Sequence, residues 1–495
     1  MYHYIAKSFA SYIVSKNQSW INNPIKSQTK TLQTLIESGR KTLFGEQHFF
    51  KDIGKYEEFK ESIPVRGYEK FKVYIERIRK GESNIIWPGK PVYFCKTSGT
   101  TSGVKHIPIF KNAIKTHTNS ARDSILNYIL NTSDTNFIKG KQIFIQGSPI
   151  LKTQNGIKIG RLSGIVAHHV PFYLRSSRMP SWDVNCIQDW EEKINAIVDQ
   201  TINQNMTLIS GIPPWVQMYF EKIIEKSGKQ IGDVFKNFSL FIYGGVSFKP
   251  YKKIFHQLIG RDVNSIEVYP ASEGFFAFQD QIDNDSMLLI LNNNIYYEFI
   301  KVKDLLMGKK NYICLSDVKV GENYALVIST SSGLWRYDLG DTVQFTQLEP
   351  YRIIVTGRIK HFISAFGEHV IAKEVETTIK EVSSKLNLKV REFTVAPEVT
   401  PKVGLPFHEW FIEFDEINDN LDEIEVIMDK IMQKQNIYYK DLIQGKILSP
   451  LRITKVKKGG FNLYMKSVGK LGGQNKVPHL SNDRKIANQL KNYTI

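Results

Sequence analysis

The densest run of chemically able side chains is Cys95-Lys-Thr-Ser-Gly-Thr-Thr-Ser-Gly-Val-Lys-His-Ile-Pro. Thr97, Ser98, Thr100, Thr101 and Ser102 interleave with Gly99 and Gly103, directly after the apolar run Val92-Tyr-Phe. Glycine lets successive backbone N–H groups turn toward one point, which makes a nest for an anion. The hydroxyls add donors and Lys105 adds charge, so the segment suits a polyphosphate. It is neither G-x-x-x-x-G-K-[ST] nor G-x-G-x-x-G, the two commonest phosphate-loop patterns. The plain alternative is a Ser/Thr-rich surface linker, but linkers rarely sit against a buried strand.

Three further pieces follow in order. Tyr243-Gly244-Gly245-Val246 ends an apolar run, and adjacent glycines allow a flat ring to lie on the backbone. Tyr269-Pro-Ala-Ser272-Glu273-Gly comes about 25 residues later. Glu273 could hold a divalent cation, since magnesium often takes one or two carboxylates and completes its shell from phosphate. Trp335-Arg-Tyr-Asp-Leu-Gly-Asp341 offers a carboxylate able to accept from both hydroxyls of a ribose. Each piece alone reads as an ordinary turn.

Taken together with Gly357-Arg358, their order resembles the adenylate-forming superfamily. More narrowly, the chain resembles the auxin-responsive acyl-acid amido synthetases, whose plant members join jasmonate, indole-acetate or benzoates to amino acids. The family pattern Ser-Ser-Gly-Thr-[Ser/Thr]-x-Gly is matched at 97–103, with Thr97 in the first place. Gly211-Ile-Pro-Pro-Trp-Val, the run Gly357 to Glu368, His408-Glu-Trp-Phe-Ile-Glu-Phe and Gln474-Asn-Lys-Val-Pro are also similar to family segments. The resemblance implies ATP and Mg²⁺ as cofactors, with Ser98, Thr100 and Thr101 at the β/γ-phosphates. It puts adenine between Gly244–Val246 and Tyr269, with Ser272 beside them, and gives Mg²⁺ to Glu273. Asp341 is implied at the ribose, with Arg358 as a second ribose candidate, and Lys476 at the α-phosphate. Three departures stand out. Lys105 falls one residue before the usual phosphate-loop lysine position, which His106 occupies. Asp338 replaces the arginine of Tyr-Arg-x-Gly-Asp, while Arg336 precedes Tyr337. His479 replaces the arginine that closes Gln-x-Lys-x-Pro-Arg.

The elements that must position these residues are legible in outline. Phe71, Ile75 and Ile78 recur on one helical face, as do Ile194, Ile197, Val198 and Ile202. Gln142-Ile-Phe-Ile, Leu240-Phe-Ile-Tyr, Ala325-Leu-Val-Ile and Arg352-Ile-Ile-Val read as short strands. Strand–loop–helix alternation predicts an α/β fold with helix-covered β-sheets, whose strand ends present ligand loops. A helix (Val375, Ile379, Val382, Leu386), an alternating strand (Trp410-Phe-Ile-Glu-Phe) and a helix from Leu421 form a second unit. The expected division is a large ATP- and acyl-acid-binding domain, 1–357, and a smaller, mobile α/β C-terminal domain, 358–495.

Composition sets limits. The 495 residues are 42% hydrophobic and 23% charged, ordinary for a globular protein. No run approaches the ~18–20 apolar residues that span a bilayer. The N-terminus makes a poor signal peptide, and three scattered cysteines form no disulfide or zinc framework. A cytoplasmic monomer with no membrane partner is expected. The net charge of +17 comes from 66 cations, 51 of them lysines, but they are dispersed. Dispersed lysine argues against a nucleic-acid stripe, although a basic binding protein on a retired enzyme scaffold stays as an alternative. The leading expectation is a ligase that makes an acyl-adenylate from a small carboxylic acid and passes the acyl group to an amino acid. Coenzyme A or another acceptor is the second possibility. His168-His169 lacks the Asp-Gly of acyl-transfer histidines, Leu471-Gly-Gly lacks a carrier serine, and no Gly-x-Ser-x-Gly elbow is present.

Overall fold

The structure is a computed structural model that describes all residues except 1, 101–102, 247, 249–250, 359–361, 364, 369, 416–419 and 469–476. In chain order its strands begin with β1 (Tyr93–Thr100), β2 (Gly103–Ile109), β3 (Lys141–Ile145), β4 (Lys152–Gln154), β5 (Ile157–Gly160), β6 (Arg178–Met179) and β7 (Met206–Gly211). Next come β8 (Leu240–Gly244), β9 (Asn264–Ala271), β10 (Gly274–Phe278), β11 (Met287–Leu289), β12 (Ile295–Lys301), β13 (Asn323–Thr330), β14 (Tyr337–Leu348) and β15 (Tyr351–Arg358). The C-terminal part adds β16 (Phe362–Ile363), β17 (Val370–Ile371), β18 (Val390–Glu398), β19 (Phe407–Phe414) and β20 (Arg452–Val456).

Eleven strands make one sheet in the order β12-β13-β14-β15-β11-β10-β9-β8-β7-β3-β6. Its β6-β3-β7-β8-β9 half is parallel and helix-covered, as the alternation of strand and helix predicts. The other half, β9 through β12, is antiparallel. The sheet is therefore mixed, and β9 is the strand at which its hand of pairing changes. A separate four-stranded sheet, β2-β1-β5-β4, carries the hydroxyl-rich segment as the tip of the β1–β2 hairpin. A three-stranded sheet, β18-β19-β20, forms the centre of the C-terminal part.

Burial follows this layering. One core joins the N-terminal helices to the antiparallel half through Phe44, Phe50, Phe71 and Trp335. Deleting the Cβ allowance at Gly39 makes room for that Trp335 ring, whose nearest atom would sit 2.7 Å from a Cβ there. A second core runs from Ile194, Phe220 and Phe241 on the parallel half to Val375, Trp410 and Met428 of the C-terminal part. A third seats helix Lys111–Thr132 on the opposite face of the parallel strands, Leu126 and Ile129 meeting Leu208, Leu240, Ile242 and Ile266. Among the described residues no helix is long and apolar enough to cross a membrane.

The antiparallel half curls. Tyr269 of β9 and Asp341 of β14 are four strand spacings apart in sheet order, about 19 Å in a flat sheet. Yet Tyr269 Oη donates to Asp341 Oδ2 at 2.5 Å, so twist and curvature must bring the two strands together.

Candidate active site

Two hairpins meet at the site. The first is β1–β2, where Thr100 pairs with Gly103 across a two-residue tip after a bulge between Thr97 and Thr100. The second is β9–β10, where Ala271 pairs with Gly274, so Ser272 and Glu273 are the two turn residues. The Cys95 thiol donates to Ser272 Oγ at 3.1 Å and ties one hairpin to the other. Burial pushes that thiol up to about 12, with the nearby Glu273 carboxylate pushing the same way, so Cys95 stays a neutral thiol rather than a nucleophile.

Beside these hairpins lies a cavity of about 2060 Å³. Thr97, Lys105, Gly244, Gly245, Val246, Tyr269, Ser272, Glu273, Asp341 and Gly357 all line it. Gly244 is required by the close approach of β9, because a Cβ there would lie 2.2 Å from the Val268 carbonyl oxygen. Gly245 has φ +85°, a conformation that favours glycine for backbone reasons of its own. The double glycine thus serves strand packing and a left-handed turn, as well as leaving the cavity wall bare.

Strand alternation separates Lys105 from His106. Lys105 lines the main cavity, its Nζ 5.7 Å from the Tyr68 ring centroid. The His106 ring packs edge-on against Phe94, and its backbone N–H donates to Tyr68 Oη at 2.8 Å. Burial lowers the His106 pKa to about 4, so at neutral pH it carries no charge for an anion. Lys105 therefore brings charge to the cavity where His106 does not, and Lys96 of β1 lines the cavity as well.

Thr101, Ser102 and Lys476 lie outside the described residues, as do the side chains of Ser98, Thr100 and Arg358; Gly99 falls within β1, and Gly103 pairs with Thr100. Arg358 pairs with Asp341 across β14 and β15. Val477, next to Lys476, is buried with Phe461 and Tyr464. The Pro478 carbonyl accepts from Thr394 Oγ1 at 2.6 Å. His479 stacks on Phe393 at 4.2 Å between centroids and meets Glu376 and Glu392. The hydrogen bond to Glu392 holds the His479 pKa above the usual histidine value and Glu376 adds to this, while burial opposes both.

Arg336 is spent elsewhere. Its Nε and Nη2 donate to Glu298, and its Nη1 donates to the Lys60 and Ile63 carbonyls at 2.8 and 2.6 Å. The double histidine is structural too. His168 Nε2 meets the Pro149 carbonyl at 2.9 Å and His169 Nε2 meets Tyr93 Oη at 2.8 Å. Among the described residues no three His, Cys, Asp or Glu side chains gather as a metal cage. A cation at Glu273 would complete its shell from phosphate oxygens and water, which is how magnesium is often held.

One cavity-lining group has no signal in the sequence. Arg161, just after β5, pairs with Asp441 and lies 4.8 Å over the Tyr438 ring, and all three line the cavity. The partners are 280 residues apart, and nothing in the composition around them marks the meeting. A similar link is the Tyr251 hydroxyl, which donates to the Ala365 carbonyl at 2.9 Å.

The large mixed sheet and the small C-terminal sheet are a fold shared with solved ligases, an acyl acid amido synthetase and a 2-hydroxyisobutyryl-CoA ligase. Residues 15–185 match the GH3 family N-terminal domain, 288–358 the central domain and 373–485 the C-terminal domain. The chain belongs to the GH3 family. It is 24% identical over 386 residues to the jasmonoyl–L-amino acid synthetase JAR4 of Nicotiana attenuata, covering 64% of this chain and 66% of that one. It is 20% identical to the indole-3-acetic acid-amido synthetase GH3.3 of Arabidopsis thaliana, over 91% of this chain and 88% of the other. The solved GH3.15 acyl acid amido synthetase superposes with a TM-score of 0.63 at 16% identity, covering 99% of this chain and 96% of that one.

Proposed function

We propose that this chain is an ATP-dependent acyl acid–amino acid ligase. The observation that carries the reading is the gathering of the β1–β2 and β9–β10 hairpins, Gly244–Val246 and the Tyr269–Asp341 pair around one cavity, in a chain of this family. A carboxylate is a poor electrophile because oxide would have to leave. Its oxygen attacks the α-phosphorus of ATP, pyrophosphate departs, and the acyl-adenylate forms. The amine of an amino acid then attacks the acyl carbon, AMP leaves, and the amine proton passes to base.

The residues divide this work. Ser98, Thr100 and Thr101 would hold the β/γ-phosphates with the hairpin backbone, and Lys105 adds charge. Gly244–Val246 and Tyr269 would frame adenine, with Asp341 on the ribose and Arg358 beside it. Glu273 would hold Mg²⁺, which supplies charge stabilisation to the phosphates when bound. Lys476 would meet the α-phosphate. The reading includes a cytoplasmic monomer and a C-terminal domain, 358–495, that turns relative to 1–357. A screen of carboxylic acids with ATP, Mg²⁺ and hydroxylamine tests it by hydroxamate and pyrophosphate release. Product with coenzyme A but with none of the twenty amino acids would replace the amine acceptor by a thiol.

Two consequences follow for single residues. Asp341→Ala should raise the KM for ATP roughly 10- to 100-fold, the worth of charge-assisted hydrogen bonds, while lowering kcat less. Unchanged ATP affinity would remove Asp341 from the ribose. Lys476→Ala should slow acyl-adenylate formation severely and largely spare conversion of a presynthesised acyl-adenylate to amide. Equal losses in the two half-reactions, or none in either, would exclude a role confined to adenylation.

A further inference from the structure

Two buried side chains on the cavity wall carry polar atoms with no hydrogen-bond partner among the described residues. Gln146, one residue past the end of β3, is 2% exposed, and both its Oε1 and Nε2 lack a hydrogen-bond partner among the described residues. His117, on helix Lys111–Thr132, is 4% exposed, and its Nδ1 is likewise unsatisfied. Both line the same cavity. Buried polar groups are almost always paired, so an amide orphaned at both ends needs an explanation.

Their placement gives one. Ile143 and Ile145 of β3 point into the core beneath the sheet, so alternation sends Phe144 and Gln146 to the face that helix Lys111–Thr132 covers. On that helix His117, Ala121 and Ile125 follow at spacings of four and line the cavity together. Gln146 and His117 therefore stand on the sheet side and the helix side of one lobe of the cavity. By register, Ile145 pairs with Gly211 and Gly211 with Tyr243, which puts Gln146 two strands from Gly244, about 9–10 Å away. The pair stands off the nucleotide wall, beside it. Burial lowers the His117 pKa to about 4, so the imidazole is neutral. A carboxamide and a neutral imidazole offer donors and acceptors but no charge.

We propose that this lobe takes the acyl acid, and that Gln146 with His117 selects acids bearing an uncharged hydrogen-bonding substituent, such as a hydroxyl or carboxamide, remote from the carboxylate. The proposal rests on the ligase reading above and adds the chemistry of its acid. The hydrocarbon isostere of such an acid leaves the amide and imidazole unpaired in the complex, and it is rejected for that reason.

The test uses pairs of acids, each a hydroxyl- or carboxamide-bearing acid and its counterpart lacking that group, with the full chain. The wild type should prefer the substituted member by at least ~100-fold in kcat/KM for hydroxamate formation, a floor well under the roughly 10⁴–10⁵ that a site built around a substrate hydroxyl achieves. Gln146→Leu should lose most of that preference by losing activity on the substituted acid alone. The same variant should have a higher Tm than the wild type without any acid, because it removes two unsatisfied buried atoms at nearly constant volume. Gln146→Met and His117→Leu repeat the comparison should Gln146→Leu fail to fold. No preference in the wild type overturns the proposal, as does equal loss on both acids or a lower Tm in the folded variants. If no acid gives hydroxamate or pyrophosphate, the ligase reading fails. The acid-induced Tm shifts then decide this one: stabilisation of wild type but not Gln146→Leu by the substituted acid supports it, and no difference refutes it.

Discussion

Glu273→Ala should lower the rate of acyl-adenylate formation by at least ~100-fold, the usual cost of removing one preorganised electrostatic contact from a transition state. The reason lies in its setting. Glu273 is one of two residues in a tight turn whose other member, Ser272, is tied to β1 through Cys95. Its carboxylate is thereby fixed beside the hydroxyl-rich hairpin, and no second cluster of acidic or imidazole ligands stands ready among the described residues. A cation placed there would complete its shell largely from the nucleotide and water. Glu273→Gln keeps the shape of the turn and should lose nearly as much, while higher Mg²⁺ partly restores it. Rates within threefold of wild type in both variants, read by pyrophosphate release, would take the metal away from Glu273.

The second large effect is on stability and lies outside the cavity. Glu298→Ala should destabilise the protein by about 3–5 kcal/mol, because it strands a buried guanidinium. Arg336 and Glu298 have side chains 3% and 1% exposed, and their carboxylate–guanidinium contact is 2.8 Å. Tyr56 Oη also donates to Glu298 at 2.9 Å, and the guanidinium lies 5.2 Å from the Tyr312 ring centroid. Arg336 holds a left-handed φ of +44° to reach this pocket, a strained conformation that the network must sustain. Replacing both partners, as Glu298→Leu with Arg336→Met, should recover most of the loss, since no charge is then left unpaired. Denaturant midpoints of the single and double variants measure this. A single variant within 1 kcal/mol of wild type would show that the pair is dispensable.

That pair also marks what could not be read from residue order. Helices with one apolar face were legible because only one face is buried: Phe71, Ile75 and Ile78 of helix Tyr68–Arg79 are an example. The strands of the parallel half were legible as short apolar runs ending at glycine or polar turns. In the antiparallel half β13 and β15 were legible in the same way, at Ala325-Leu-Val-Ile and Arg352-Ile-Ile-Val, but β12 is buried along both faces and shows no alternation. Glu298 sits in the middle of that strand, where a lone acid suggests an exposed position. Its partner comes from 38 residues further on. For the same reason Arg336 resembled a displaced motif arginine, when its donors are occupied by Glu298 and two carbonyls. The order of the motifs did carry the family. What it could not carry was aim, since Lys105 and His106 are told apart only once β2 is known to send alternate residues to opposite sides.

The curl of the antiparallel half has a consequence for how the protein comes to exist. Tyr269 and Asp341 lie 72 residues apart, and the strands between them in the sheet must pair before the two side chains can touch. Contacts of such long sequence separation form late, after the loop-closure entropy of each intervening pairing has been met. The corner of the cavity that they share is thus among the last parts of the chain to be assembled. A ligand that grips both residues binds only the finished fold, so it shifts the folding equilibrium by mass action and should slow the reopening of that seam.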